Sequence, residues 1–118
     1  MVTRQIDAVE CEPITVNIGA IIHGLDLTRK LSAPELESIR KALLEYEVIF
    51  FRNQDLSSQN HRELATYFGE PHIHPAYNSV EGYPELCILE STPENPTKIE
   101  LWHTDMTFSA EPPMGSFL

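Results

Sequence analysis

The stretch "SAPELESIRKALLEYEVIFF", Ser32–Phe51, changes its hydrophobic period partway along, and that change decides the fold class. From Ser32 to Glu47 the apolar residues Leu36, Ile39, Leu43 and Leu44 recur at helical spacing and form one stripe. Ser32 and Glu35 match a capping box, and Pro34 falls in the first turn, where its missing N–H costs nothing. Val48–Phe51 is then a continuous run of β-formers, which predicts a strand covered on both faces. No Gly-rich turn leads from a strand into a helix, so a Rossmann or P-loop architecture has no support.

Working outward, "ITVNIGAIIHGLDL" (Ile14–Leu27) is strand-like, with Gly19 and Gly24 marking a hairpin or bulge. Ser57–Glu70 predicts a second helix, capped by Ser57 or Ser58, with Leu64, Ala65 and Phe68 facing inward and Gly69 ending it. "ELCIL" (Glu85–Leu89) predicts a buried strand, with Cys87 as a buried thiol. Glu90–Glu100 is polar with Pro93 and Pro96, hence a loop. "LWHTDMTF" (Leu101–Phe108) alternates like a strand, and "MGSFL" (Met114–Leu118) starts another. This order predicts an α+β, mainly β core with helices near the N-terminus.

Composition narrows the function. The chain has 118 residues, 42% hydrophobic and 22% charged, as in an ordinary globular domain. Its net charge of −10 disfavours nucleic acid and anionic membrane surfaces as partners. Two cysteines are too few for a disulfide framework, the N-terminus has no apolar signal region, and no apolar run reaches the ~20 residues of a membrane span. A reducing cytoplasm is the expected compartment.

His103 and Asp105 lie two residues apart in "WHTDMTF". On a strand they would share a face, with β-carbons on the order of 6.5–7 Å apart, close enough to hold one metal ion between them. One further histidine would complete the two-His, one-carboxylate face of a non-haem Fe(II) site. The alternative is a hydrogen-bonded polar pair at a strand end. His61 and Glu63 have the same spacing but fall on a predicted helix, where such residues do not face each other, so they are expected to be a solvated face. In "FGEPHIHPAY", Pro71 and Pro75 bracket His72 and His74 in an extended segment. His74 and the hydroxyl of Tyr77 could hydrogen-bond an anionic substrate, or the histidines could simply face solvent on a loop. A third arrangement would join His72 and His74 to His103 and Asp105 in a cupin-like or zinc site. His23, between two turn glycines, is expected to be structural or exposed.

Four separated segments, "IGAIIHGLDLTRKLS", "VIFFRNQ", "YFGEPHIHPAY" and "WHTDMTFSAEPPMGS", together resemble the Fe(II)- and 2-oxoglutarate-dependent dioxygenases of the taurine dioxygenase type, in order and spacing, from about Ile14 to the last residue. The resemblance implies the N-terminal part of a jelly roll, or double-stranded β-helix, with flanking helices. Residues 1–118 would be the N-terminal part of a single dioxygenase domain whose C-terminal half is absent. It implies that His103 and Asp105 are iron ligands, that His74 and Tyr77 contact the substrate, that Met106 lines the substrate pocket, and that Trp102 packs beside the iron. The taurine branch carries an asparagine where Ile99 stands here, so a related sulfonate, sulfate ester or other small acid is at least as well suited as taurine. The third iron ligand and the arginines that bind 2-oxoglutarate and the substrate anion belong to the family's C-terminal half. The implied reaction consumes dioxygen, converts 2-oxoglutarate to succinate and carbon dioxide, and hydroxylates a small anionic substrate, with release of sulfite from a sulfonate. The full-length protein is expected to be a homo-oligomer, and the 118 residues alone inactive or dependent on a partner.

Overall fold

The computed structural model describes residues 2–97 and 101–118. They fall into two compact units, Met1–Asn60 and His61–Leu118.

The first unit is a four-stranded sheet backed by a helix. Its strands are β1 (Arg4–Ile6), β2 (Val9–Pro13), β3 (Ala20–His23) and β4 (Ile49–Phe50), in that spatial order. β1, β2 and β3 are antiparallel neighbours, whereas β4 lies parallel to β3. Parallel neighbours need a long crossover, which α1 (Ala33–Tyr46) supplies. The capping box of α1 forms as its sequence predicts: Ser32 Oγ accepts from the Glu35 amide, and the Glu35 carboxylate accepts from the Ser32 amide at 2.8 Å. Gly19 sits at φ 93°, where a side chain would be strained, and its amide donates to the Tyr46 carbonyl at 2.9 Å. That bond fixes the end of α1 beside the start of β3.

The core of this unit gathers Val9, Cys11, Ala20, Ile22, Leu25, Leu27, Leu31, Ile39, Ala42 and Tyr46. Fully burying one of its larger aliphatic side chains is worth about 1.5–3 kcal/mol. Burial also raises the pKa of the Cys11 thiol. Leu44 is exposed, so the buried face of α1 runs through Ser38, Ile39, Ala42 and Tyr46. Ser38 is 0% exposed. Its hydroxyl donates to the Pro34 carbonyl at 2.7 Å and accepts from the Ala8 amide at 3.1 Å, tying α1 to the β1–β2 turn. Val48 and Phe50 are partly exposed, so β4 is an edge strand and not a strand covered on both faces.

The hairpin of β1 and β2 is an element the sequence reading lacks. Its signal is the alternation of Val9 and Cys11, both buried, around the exposed Glu10. His23 is exposed and its Nε2 lies 2.8 Å from Glu12 Oε2 on the neighbouring strand.

The second unit holds most of α2 (Ser58–Thr66), whose first residues belong to the first unit, and a hairpin of β5 (Ser79–Val80) and β6 (Tyr83–Cys87). Ser57 caps α2 through a reciprocal pair with Asn60, the hydroxyl accepting from the Asn60 amide at 3.1 Å. The helix ends at Thr66, four residues short of the predicted end. Gly82, at φ 80°, turns the hairpin. Arg62 Nε lies 2.8 Å from the nearly buried carboxylate of Glu85 and so joins α2 to β6. Cys87 is exposed, not buried, because it ends a two-stranded hairpin with no second layer over that position.

Leu101–Leu118 contains no strand. The strands predicted for "LWHTDMTF" and "MGSFL" are therefore turn and extended chain, since among the described residues no neighbouring strand completes a ladder there. His61 is also less solvated than predicted: it is half-buried and its Nε2 lies 3.1 Å from the Phe117 carbonyl. Phe117 packs on Phe68 with ring centroids 5.3 Å apart, which holds the last residues against α2.

Candidate metal centre

His103 and Asp105 are brought together by a turn and not by strand alternation. His103 Nε2 lies 3.2 Å from Asp105 Oδ1. The other ring nitrogen, Nδ1, lies 2.8 Å from the Leu101 carbonyl oxygen. A carbonyl can only accept, so Nδ1 carries the hydrogen, and in the neutral ring the lone pair is on Nε2, facing the carboxylate. Two donors each about 2.1 Å from one ion, at right angles, stand about 3 Å apart, so the donor set and its spacing fit a divalent metal. A second-sphere acceptor on the non-ligating nitrogen is the usual companion of a metal-binding histidine.

The turn itself is braced. Thr104 Oγ1 and Thr107 Oγ1 are 3.0 Å apart, and the Ser109 amide donates to the Met106 carbonyl at 2.9 Å. Met106, between these braces, is buried. The threonines at i and i+3 around "DM" were a readable sign of this turn, whereas the role of the Leu101 carbonyl has no sequence signal at all.

Trp102 is fully exposed and does not pack beside His103, and Phe108 is exposed too. His103 and Asp105 are themselves open to solvent. Among the described residues no group of three or more His, Cys, Asp or Glu stands close enough to hold one ion. His72 and His74 therefore do not join His103 and Asp105 in a cupin-like or zinc site, because they sit on a separate irregular segment ahead of β5.

His74 and Tyr77 do come together, with ring centroids 4.5 Å apart at 42°. The Ala76 amide donates to His74 Nδ1 at 3.1 Å, which makes that nitrogen an acceptor and leaves Nε2 as the N–H donor. The ring N–H and the Tyr77 hydroxyl are thus two donors on one loop. Ile99, the position that departs from the taurine branch, lies outside the described residues. An apolar groove of ≈ 310 Å³ in the first unit, lined by Ile14, Thr15, Ile18, Gly19, Val48 and Phe50, offers no ligating or acid–base side chain.

Residues 10–118 match the model of the taurine catabolism dioxygenase TauD, TfdA family. An alpha-ketoglutarate-dependent sulfate ester dioxygenase of Pseudomonas putida is 36% identical over 110 residues, covering 92% of this chain and 36% of that protein. An alkylsulfatase of Acinetobacter baylyi is 35% identical over 106 residues, covering 89% of this chain and 33% of that one. The crystal structure of a taurine dioxygenase from Burkholderia xenovorans superposes with a TM-score of 0.62 at 44% identity, covering 65% of this chain and 28% of the other. The chain thus spans about a third of the length of these curated relatives. With a family match over nearly all of its residues, the chain belongs to the taurine catabolism dioxygenase TauD, TfdA family.

Proposed function

We propose that this chain is the N-terminal part of a jelly-roll dioxygenase domain that uses Fe(II) and 2-oxoglutarate to oxidise a small organic sulfate ester or sulfonate, taurine being one member of that class. The observation that carries the proposal is the His103–Asp105 pair, with Nε2 and Oδ1 3.2 Å apart and Nδ1 tied to the Leu101 carbonyl. The names of the relatives support the reaction type: the curated ones at 35% and 36% identity point to sulfate esters, and the 44%-identical structure is of a taurine dioxygenase.

In this reading His103 Nε2 and Asp105 hold the iron, and a third protein ligand comes from the part of the family fold that the chain does not span. The bound metal supplies activation of dioxygen coupled to decarboxylation of 2-oxoglutarate. The chain's own residues do the positioning. The Leu101 carbonyl keeps Nδ1 protonated and so keeps the Nε2 lone pair free for the metal. The Asp105 carboxylate offsets part of the metal charge and fixes the ring's orientation. His74 Nε2–H and the Tyr77 hydroxyl donate to the sulfur-bound oxygens of the substrate, where charge-assisted bonds are the strong ones. The free thiols Cys11 and Cys87 fit a reducing cytoplasm, and no helix among the described residues is long and apolar enough to cross a membrane.

A polypeptide of the relatives' length carrying these 118 residues should release succinate from 2-oxoglutarate when given Fe(II), dioxygen and an alkyl sulfate or sulfonate. His103→Ala should abolish that release, and succinate production at the parent rate in the variant would sink the assignment. The absence of a third ligand among the described residues favours a second statement: the 118 residues alone do not turn over. Multiple turnovers of 2-oxoglutarate by the short chain would refute it.

A further inference from the structure

The turn that presents Asp105 is built around an unexpected residue. Met106 has φ 55°, in the left-handed region, at the bend that follows Asp105 and opens the hydrogen-bonded turn Met106–Ser109. A position with positive φ normally carries Gly or Asn, because a longer side chain is strained there. The other described non-glycine residues with positive φ are Asp7, Glu47 and Asn53, all polar and all exposed. Met106 is the exception on both counts: it is apolar and only 8% exposed. Every other described residue from Leu101 to Phe108 is exposed. A conformation that glycine would adopt without strain is therefore held by a side chain whose burial is the one apolar anchorage in this segment.

We propose that Met106 is a positioning residue. Its buried side chain pins the bend at Asp105–Met106 and thereby sets Asp105 Oδ1 against His103 Nε2; the inference rests on reading that pair as metal ligands. Backbone preference and side-chain anchorage then oppose each other at one residue, and substitutions separate them. Met106→Gly relieves the backbone strain and removes the anchor. Met106→Leu keeps an apolar side chain of similar volume and keeps the strain.

The test uses the 118-residue chain and two readouts. The first is the 15N spectrum of the His103 ring without metal. The parent and Met106→Leu should show Nδ1 carrying a hydrogen held on the Leu101 carbonyl, while Met106→Gly should show the averaged shifts of a ring that has lost that fixed acceptor. The second is Mn(II) affinity. Met106→Gly should bind about 10–100-fold more weakly, the usual loss when a supporting group around a metal ligand is removed, and Met106→Leu should stay within about threefold of the parent. Amide shifts of residues 61–97, in the same unit as Met106, report that each variant is folded. Retention of the held Nδ1 hydrogen and of the affinity in Met106→Gly would overturn the proposal, and so would Met106→Leu behaving like Met106→Gly. If His103→Ala leaves Mn(II) binding unchanged, the ligand reading fails, and the metal-free ring spectrum still decides the role of Met106.

Discussion

The His103 imidazole is held at both of its nitrogens. It gives Nδ1–H to the Leu101 carbonyl and sets Nε2 3.2 Å from Asp105 Oδ1. A single hydroxyl has a comparable structural weight at Ser38, which is fully buried and bonded both to its own helix and to the Ala8 amide. Ser38→Ala leaves that amide without its acceptor, so we expect a loss of about 1–3 kcal/mol of stability, measured by denaturant unfolding. An unchanged midpoint would mean that water replaces the hydroxyl. At this scale the sequence is only partly legible. His103 and Asp105 stand out by spacing and by the surrounding family segments, yet spacing alone would equally have selected His61 and Glu63. Beside the first pair, Met106 adopts a left-handed backbone conformation, which propensity argues against for a methionine.

Among the elements, α1 is the one whose start and extent are most legible, because its signals are local: a capping box and a proline in the first turn, although the buried face runs through Ser38, Ile39, Ala42 and Tyr46 and leaves Leu44 exposed. The capping box makes it sensitive to acid. Hydrogen bonds from the Arg29 guanidinium, and then from the Ser32 amide and hydroxyl, lower the pKa of Glu35 from 4.5 to about 2. A carboxylate depressed on folding stabilises the native state fully above its unfolded pKa, and that contribution is lost as the pH falls toward the folded value. The parent chain should therefore lose stability between about pH 5 and pH 2 more steeply than Glu35→Gln, and parallel acid-unfolding curves for the two would contradict this. The elements that escaped the sequence reading are those whose apolar pattern is too short or is overridden by its surroundings. The β1–β2 hairpin is short and shows only Val9 and Cys11 as inward positions. The segment Leu101–Phe108 alternates like a strand but has no neighbour to pair with, so tertiary context overrides its pattern.

For the whole molecule, the relevant fact is coverage. The chain spans about a third of its relatives, and apolar side chains stand exposed in numbers unusual for a closed domain. In the unit His61–Leu118, Leu101, Trp102, Phe108, Met114 and Leu118 are all largely exposed. Surfaces of this kind bind hydrophobic dyes. The 118-residue chain should therefore enhance anilinonaphthalene sulfonate fluorescence at neutral pH, and a family-length protein should do so far less; equal, low fluorescence from both would contradict the exposure described. The charge pattern is unlike a nucleic-acid binder, with 18 acidic and 8 basic residues. That acidic excess also sets the control needed for the metal claim, since many carboxylates bind divalent ions weakly. Paramagnetic Mn(II) titrated into the isotopically labelled chain separates one site from a diffuse background. The account predicts that the signals of His103, Asp105 and their neighbours broaden first, at the lowest Mn(II), and that His103→Ala removes that selectivity. Broadening spread over the acidic residues at large, or unchanged by His103→Ala, would contradict it.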